Sequence, residues 1–320
     1  MKLSVVTTLY RSAPHLEEFH RRMTAAASAR TDSYEIIYVN DGSPDHSLDL
    51  ALDLAGRDPH VRVVDLARNY EHLKAMMTGL ELSAGEFVFL VDCDLEEEPE
   101  LLLEFWDTLE QRNADVVYGV QEDRKGNRFE RLSGWAFYTT LKWFASTEIP
   151  RNMVTARLMS RDYVRNLVAH REREIYLGGL FAITGFRQVA KRIVKHNTSE
   201  STYSTRAKAR DAVNAITAFS NKPLIMIFWL GMLITVASAP ILAWLLIKSL
   251  FFAQEVRGWT SLMVSLWFLG GLIVFVMGII AIYLSKIFVE TKQRPYTIIR
   301  GTHGWEEGRQ PIIRSEEQIL

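Results

Sequence analysis

Two carboxylates stand one residue apart, directly after a short apolar run. Phe87 to Val91 has the composition of a strand buried on both faces, and Asp92-Cys93-Asp94 follow it. Carboxylates held at such a place without a counter-charge are costly, whereas a hard divalent cation with positions open to phosphate oxygens suits them. The spacing therefore predicts a Mg²⁺ or Mn²⁺ site at Asp92 and Asp94. The alternative is a metal-free turn whose aspartates bond their own backbone.

An acidic run and a proline follow this pair. Glu96, Glu97 and Glu98 precede Pro99, and a proline near the first turn with acids beside it opens a helix well. We expect the three glutamates to form the N-terminus and the solvated face of that helix. Cys93 is the only cysteine, which excludes an intramolecular disulfide. It is predicted to be a small buried filler, with a thiol nucleophile as the alternative.

Composition and charge narrow the class of protein. The chain has 320 residues, a formal net charge of −1 and a pI of about 6.7, a balance that argues against a nucleic-acid partner. The length fits one large domain or two smaller ones. The chain begins on a strand-like run without a secretory h-region, so we expect no signal peptide.

Strand and helix patterns alternate over the first 120 residues. Helical periodicity fits 13–30, 47–56, 70–83 and 99–112, between strand-like runs at 2–9, 35–39, 61–66, 87–91 and 115–120. The alternation predicts an α/β fold, with a mostly parallel, doubly wound sheet and helices on both faces. In such sheets ligands bind beyond the carboxyl ends of the strands, which share one edge.

Polar residues collect after the predicted strands. They are Thr8, Tyr10, Asp41, Arg68, Asp92 and Asp94. The Asp41 carboxylate can accept a hydrogen bond from a nucleobase N–H, and Arg68 and Lys74 can offset phosphate charge. The sequence contains no GxGxxG or GxxxxGK loop. A diphosphate at this edge would therefore depend on a cation and on basic side chains.

Two basic stretches have the pattern of helices that lie at a membrane surface. The first, Arg124 to Trp143, combines arginines with aromatic residues and is predicted to hold a lipid phosphate. Its alternative is an amphipathic helix with a solvated basic face. The second, Arg206 to Phe219, places an apolar stripe beside arginines and is predicted to be an interfacial helix.

The C-terminal third carries two long apolar runs. Leu224 to Ile247 and Leu262 to Leu284 are each long enough to span a bilayer, which needs about 20 apolar residues. Basic residues flank the pair and are sparse in the loop between them. The positive-inside rule therefore predicts a multi-pass protein of the inner (plasma) membrane, with the large domain and both termini cytoplasmic.

These patterns divide the chain into four parts. They are a cytoplasmic domain at 1–205, a juxtamembrane interfacial helix at 206–222, a two-helix transmembrane hairpin at 223–285 and a cytoplasmic tail at 286–320. The lipid bilayer is the partner that the apolar runs predict. The Gly270-Gly271 pair is too little to decide whether the spans also associate into a homo-oligomer.

Six short motifs follow one another along the chain. They are residues 39–43 (VNDGS), 67–70 (ARNY), 91–95 (VDCDL), 219–224 (FSNKPL), 258–262 (GWTSL) and 290–296 (ETKQRPY). Each is weak alone. In this order, and with two apolar runs, they resemble the family 2 polyprenyl-phosphate glycosyltransferases of the dolichyl-phosphate mannosyltransferase and bactoprenol glucosyltransferase type, which have the glycosyltransferase-A (Rossmann-like) fold.

The resemblance implies an inverting transfer of a sugar from a nucleotide-sugar donor to polyprenyl phosphate, for modification of cell-envelope glycans. It assigns the donor nucleotide to Thr8, Tyr10, Asp41, Gly42, Arg68, Lys74 and Asp92. It assigns the acceptor phosphate to Arg124, Arg128, Arg131, Ser201 and Tyr203. The catalytic residues would be Asp94, Arg131 and Arg157, with Asp92 and Asp94 as ligands of Mg²⁺ or Mn²⁺. Because a phosphate monoester has a second pKa near ~6, the acceptor is already anionic and needs little help from a general base.

Three positions depart from the family's pattern. Ser12 stands where the family has Glu, Glu71 where it has Gly, and Asn152 where it has Asp. These departures leave a second function open, a membrane platform that keeps the fold with little or no catalysis. A processive synthase or a transferase with another acceptor is a third reading, against which the lack of a Q-x-x-R-W-type motif argues.

Overall fold

Strands and helices alternate regularly through the first part of the chain. The computed structural model describes residues 1–121, 152–172, 177–195, 222–233, 236, 240 and 259–305. The first nine elements are β1 (Leu3–Leu9), α1 (Ala13–Ser28), β2 (Tyr34–Asn40), α2 (Ser47–Arg57), β3 (Val61–Leu66), α3 (His72–Leu82), β4 (Phe87–Leu90), α4 (Leu101–Arg112) and β5 (Val116–Gln121). Each of these nine was predicted from the sequence pattern, with ends that differ by up to two residues.

Seven further elements follow among the described residues. They are β6 (Met153–Ser160), α5 (Arg161–Ala169), α6 (Leu177–Ile183), β7 (Gln188–Ile193), α7 (Lys222–Leu233), α8 (Trp259–Thr291) and β8 (Ile299–His303). The strands β6, β7 and β8 were not predicted. All three pair with strands that are distant in sequence, which a local pattern does not reveal.

Eight strands form one mixed sheet in the order β7-β5-β6-β4-β1-β2-β3-β8. Four of its seven pairings are parallel, and they include the run β4-β1-β2-β3 that carries the predicted site. The α/β class and the mostly parallel sheet are therefore confirmed. Two strands run in the opposite direction: β6 is antiparallel to both β4 and β5, and β8 is antiparallel to β3.

The sheet buries both of its faces, as its continuous apolar strands predict. Neighbouring residues of β1 point to opposite sides, so that Val5 packs in the core under α1, α2 and α4, while Val6 packs in the core under α3, α5 and α6. All seven residues of β1 and of β2 are buried. The strand ends are therefore held rigidly, which fixes the loops that leave them.

The acidic run after β4 differs from its prediction. α4 begins at Leu101 rather than at Pro99, and Glu96 and Glu97 are buried, with Glu97 having no exposed surface. The expectation that Glu96, Glu97 and Glu98 form a solvated helix face is therefore wrong for the first two. The hydrogen bonds that hold Glu97, described below, explain its burial.

The described residues divide into two compact units. The sheet unit contains residues 1–121, 152–172, 177–195 and 294–305, so β8 belongs to it although it follows the apolar runs in sequence. The second unit contains α7 and α8. Within α8, Leu269–Thr291 is long and apolar enough to cross a membrane, and it is the one such helix in the described part of the chain. Most of the first predicted span, beyond α7, lies outside the described residues.

A histidine–aspartate cluster lies at the amino ends of the strands, opposite the predicted site. His20 Nε2 lies 3.5 Å from Asp58 Oδ2, and His60 Nδ1 lies 2.9 Å from Asp58 Oδ1. Tyr34 stacks on the His60 ring with centroids 4.1 Å apart. Burial lowers the pKa of His20 below its ordinary value, and Arg57 lowers it further, although Asp58 opposes both.

This cluster makes stability depend on pH. Since the pKa of His20 is lower in the folded chain than in the unfolded chain, the unfolded state binds more protons, and stability falls as the pH drops below about 6.5. We expect the melting temperature of the wild type to fall between about pH 7 and pH 5. The melting temperature of His20→Gln should fall less over the same range. His46→Gln is the control, because the His46 side chain is 90% exposed. Parallel pH profiles of wild type and His20→Gln would contradict this assignment.

Candidate functional site

The carboxyl ends of β1, β2, β3 and β4 lie side by side, and the loops that follow them form the candidate site. Thr8 is the second-to-last residue of β1, Asp41 follows β2, Arg68 follows β3, and Asp92 follows β4. The parallel pairing therefore brings together the predicted residues of these four loops. Thr8 and Asp41 are buried, whereas the Tyr10 side chain is exposed.

Asp41 and Gly42 join the loops after β2 and β3. The backbone N–H of Tyr70 donates a hydrogen bond of 2.6 Å to Asp41 Oδ1. Burial raises the pKa of Asp41, an effect that the N–H groups of Tyr70 and Glu71 partly offset. Gly42 has φ +58°, and a Cβ there would lie 2.5 Å from Arg68 C and from Asn69 N. Only glycine fits, because the two loops touch backbone to backbone.

Asp45 joins the loops after β1 and β2. Its carboxylate accepts hydrogen bonds from the Ser43 and Ser47 hydroxyls, both at 2.6 Å, and from the backbone N–H of Ala13 at 3.2 Å. Although burial opposes it, these donors lower the pKa of Asp45 to about 2. Ser12 takes part in the same network, since its N–H donates to Ser47 Oγ at 3.0 Å. The Ser12 side chain, which stands in place of the family's glutamate, accepts a hydrogen bond from the backbone N–H of Tyr10 at 3.1 Å.

His72 connects the first strand to the acidic turn, a role that the sequence did not indicate. Its Nδ1 lies 2.9 Å from Thr8 Oγ1, and its Nε2 lies 3.2 Å from Asp92 Oδ1. Burial lowers the pKa of His72, but Asp92, Asp41 and Asp94 outweigh it, so the pKa is raised overall. The imidazole thus lies in the field of three carboxylates, which favours its protonated form. Its place at the start of α3, four residues after Arg68, was the available signal.

The second carboxylate of the turn has a different environment. The backbone N–H of Glu96 donates to Asp94 Oδ1 at 3.0 Å. Burial raises the pKa of Asp94, and the charges of Asp92 and Glu96 raise it further. Lys195, which follows β7, opposes this rise, and its Nζ lies 2.9 Å from Glu96 Oε2. The sequence did not predict this pairing.

Glu97 is a structural residue rather than part of a solvated surface. Its Oε1 and Oε2 accept hydrogen bonds from the backbone N–H groups of Thr155 and Ala156, at 3.2 and 2.6 Å. Burial and the charge of Asp92 raise its pKa to about 7, while Lys195 and the two N–H groups oppose the rise. The side chain thus ties the acidic turn to the beginning of β6.

Asp92 and Asp94 fit a divalent cation that shares its coordination with phosphate. Asp92 Oδ1 is buried beside His72 Nε2 at 3.2 Å, and Asp94 Oδ1 accepts one backbone N–H; an ionised carboxylate has about four acceptor positions, so both side chains keep lone pairs for a ligand. Hard carboxylate oxygens suit Mg²⁺ and Mn²⁺. At nucleotide sites the protein usually supplies one or two carboxylates, and phosphate oxygens and waters fill the other coordination positions. Across the described residues, no group of three or more His, Cys, Asp and Glu side chains is arranged to hold a metal by itself.

The predicted basic residues beside the donor occupy different settings. The Arg68 guanidinium lies over the Tyr70 ring, 4.3 Å from its centroid, at the exposed side of the loop. Lys74 Nζ lies 3.6 Å from Glu71 Oε2, an ion pair within α3 and its N-cap. Arg68 can therefore reach a ligand by a rotamer change, whereas Lys74 first has to leave Glu71.

Arg157 is buried, with 2% of its surface exposed. Its Cζ lies 3.1 Å from the Phe181 ring centroid, and its Nη1 has no hydrogen-bond partner among the described residues. Burial lowers the pKa of Arg157 to about 10. The other predicted phosphate ligands lie outside the described residues; they are Arg124, Arg128, Arg131, Ser201 and Tyr203.

The remaining departures have backbone explanations. Glu71 has φ +81° and ψ 142°, a region that favours glycine, so the family's glycine suits this position better and Glu71 carries strain of about 1–3 kcal/mol. Asn152 has φ +57°, which asparagine tolerates, and its carbonyl accepts a hydrogen bond from Gln121 N at 3.0 Å. Cys93 is buried in the core and burial raises its pKa, which removes the thiol-nucleophile reading.

Comparison with known proteins gives consistent matches. The family model described as Glycosyl transferase family 2 matches residues 4–168. The chain is 46% identical over 304 residues to a Mycobacterium tuberculosis protein described as "Putative glycosyltransferases", covering 95% of this chain and 89% of that one. It is 29% identical over 309 residues to the bactoprenol glucosyl transferase of Shigella phage SfII, covering 95% and 99%. The solved glucosyl-3-phosphoglycerate synthase of Mycobacterium tuberculosis matches with a TM-score of 0.45 at 17% identity, over 68% of this chain and 79% of that one.

The contact at Gly42 predicts an unusually costly substitution. Gly42→Ala places a Cβ against the backbone of Arg68 and Asn69 and imposes a positive φ on alanine. We expect a loss of about 1–3 kcal/mol of stability, measured by thermal unfolding in detergent. Gly56→Ala in α2 is the matched control, since nothing lies within 4 Å of its Cβ position; it should gain at most about 1 kcal/mol. Equal melting temperatures for the two variants would refute the close approach.

Proposed function

The chain belongs to glycosyl transferase family 2, and from that premise we propose that it transfers a sugar from a nucleotide-sugar donor to polyprenyl phosphate at a membrane, with inversion at the anomeric carbon. The observation that carries the proposal is the gathering of Asp41, Asp92 and Asp94 at one sheet edge, in a chain with an apolar helix of membrane-spanning length. The similarity to a bactoprenol glucosyl transferase supports the acceptor class.

The donor nucleotide binds across the loops after β1, β2 and β3. The Asp41 carboxylate is fixed by Tyr70 N–H and has a second oxygen for a base N–H. Thr8 is oriented by His72, and Arg68 lies at the exposed rim, where a guanidinium can contact the diphosphate. These residues orient the donor so that the anomeric carbon faces the acceptor.

Asp92 and Asp94 hold the divalent cation, Mg²⁺ or Mn²⁺. When bound, this ion acts as a Lewis acid that neutralises charge on the departing nucleoside diphosphate. Asp92 is oriented by His72, and Asp94 by the N–H of Glu96. Glu97 and Lys195 keep the turn in place through β6 and β7. The carboxylates therefore need no rearrangement as charge develops.

The acceptor's phosphate oxygen attacks the anomeric carbon as the bond from that carbon to the diphosphate oxygen breaks. In-line displacement inverts the configuration, so an α-linked donor gives a β-linked product. The attacking phosphate is anionic at neutral pH, since its second pKa is near ~6. A catalytic base is not required, which agrees with Asn152 in place of the family's aspartate. The acceptor phosphate is assigned to Arg124, Arg128, Arg131, Ser201 and Tyr203, with Arg131 and Arg157 stabilising charge.

The sheet supports a two-span topology. β8, which follows the apolar runs, pairs antiparallel with β3, which precedes them. Strands of one sheet lie on one side of a membrane, so the number of crossings between residues 195 and 294 is even. If α8 crosses once, a second segment crosses too, and Leu224 to Ile247 is the run long enough to do so. The positive-inside rule makes the shared side cytoplasmic.

A transfer assay tests the proposed reaction. Purified protein in detergent is given polyprenyl phosphate, Mg²⁺ or Mn²⁺, and a panel of radiolabelled nucleotide sugars, and label in the organic phase is measured. We expect one donor to be used, activity to vanish with a chelator, and Asp94→Asn to lower turnover on the order of 10²–10³-fold. Asp49→Asn, at an exposed position on α2, should leave turnover unchanged.

Each outcome of this assay separates two readings. Asp94→Asn with full, chelator-resistant turnover would refute the metal assignment. A blank panel with nucleotide binding intact would favour the non-catalytic membrane platform, and label in a polymer rather than in a lipid would favour a processive synthase.

Thiol labelling tests the topology. Cys93 is buried, so the parent chain should give little background with a membrane-impermeant maleimide. In vesicles sealed with the cytoplasmic face outward, we expect His46→Cys to label at once and Gln254→Cys, in the predicted loop, to label only after detergent. Immediate labelling at both positions would exclude the hairpin.

A further inference from the structure

Residues 294–305 form a strap that runs along the outer side of β3. Its strand β8 pairs Thr302 with Val64 and Gly301 with Asp65, and the register shifts between Asp65 and Leu66. Among the described strands, β3 has no other neighbour on this side. The strap therefore covers the edge of the sheet next to the loop that begins at Ala67.

The strap binds both backbone groups of Ala67. The Ala67 N–H donates to the Ile298 carbonyl at 2.9 Å, and Arg300 Nη2 donates to the Ala67 carbonyl at 2.6 Å. Arg300 Nη1 also lies 3.4 Å from Asp65 Oδ2. The Asp65 side chain is 7% exposed and is held from the other side by Asn40 Nδ2 at 2.7 Å. Arg300 thus anchors the point where β3 passes into the loop.

The strap also contacts the helix at the other end of that loop. Thr297 Oγ1 lies 2.7 Å from Thr78 Oγ1 of α3, and the Tyr296 hydroxyl donates to Glu81 Oε2 of α3 at 2.8 Å. α3 begins with His72, which contacts Thr8 and Asp92. The strap is therefore bonded to the first residue of 67–71 and to the second half of the helix that follows them.

This short loop carries donor contacts and stores strain. Its Tyr70 N–H fixes Asp41, its Arg68 and Asn69 backbone packs against Gly42, and its Glu71 has φ +81°. A strained loop keeps its conformation only when its surroundings over-determine it. The strap supplies bonds at the point where this loop leaves β3.

We propose that the strap is a positioning element of the donor site, which holds residues 67–71 in the conformation that binds the nucleotide. The inference rests on the proposed function, because it takes Asp41 and Arg68 as donor ligands. Arg300 then acts through the loop and Thr297 through α3, without contact to the nucleotide. The segment after the apolar runs thereby becomes part of the donor site.

Nucleotide binding to matched variants of the full chain tests this. The probes are UDP, GDP and ADP with Mn²⁺, and the one that wild type binds most tightly is used. We expect Arg300→Met and Thr297→Val each to weaken its binding roughly 3- to 30-fold, and Arg300→Lys to recover part of the affinity. Arg62→Met is the control, since Arg62 lies in the same strand pair at its far end, near Trp305.

The outcomes separate the alternatives. Unchanged nucleotide affinity in Arg300→Met overturns the inference. If Arg62→Met loses as much affinity as Arg300→Met, the strap only stabilises the fold in general, and this result also overturns the inference. Loss in Arg300→Met with Thr297→Val unchanged means that the contact of the strap with α3 does not affect the donor site, and it overturns the strap as a positioning unit. A wild type that binds none of the three diphosphates contradicts the proposed donor site itself.

A second measurement covers variants that do not fold. In hydrogen exchange of the wild type, the nucleotide should slow exchange in residues 296–302 as well as in 67–71, because the two segments share hydrogen bonds. Protection that stops at residue 71 would overturn the inference.

Discussion

Negative charge concentrated at one end of the sheet is the constraint on which the rest of the site depends. Asp41, Asp92, Glu96 and Glu97 are buried or nearly so, and each would be costly without compensation. The chain compensates them in different ways, with backbone N–H groups at Asp41 and Glu97, an imidazole at Asp92 and an ammonium at Glu96. Even so, the carboxylates of Asp92 and Asp94 keep lone pairs that a ligand can use.

The compensating groups come from elements that are distant in sequence, and the order of the strands brings these elements to the acidic turn. His72 comes from α3, Lys195 from the end of β7, and the N–H groups that bind Glu97 from the start of β6. The antiparallel β6 brings its amino end beside the carboxyl end of β4, where the acidic turn begins. The mixed part of the sheet is therefore what supplies donors to the turn.

Local pattern predicted the nine elements up to β5 because each has its own apolar period and is bounded by turn residues. It also predicted the edge with Thr8, Asp41 and Asp92, since parallel strands end together. It failed at Glu97, because a glutamate that binds strand backbone has the same sequence signature as one on a solvated helix. His72 and Lys195 were missed as partners because their contacts are made only by the fold.

The pairing of β3 with β8 also has a consequence for the order in which the molecule is completed. The partners Ala67 and Arg300 are 233 residues apart, so the outer strand becomes available only long after β3 has been synthesised. Until then β3 is an open edge, and the apolar runs have already left the ribosome. Such late closure has a high contact order and is slow. The sheet is therefore completed only after the apolar runs have been synthesised.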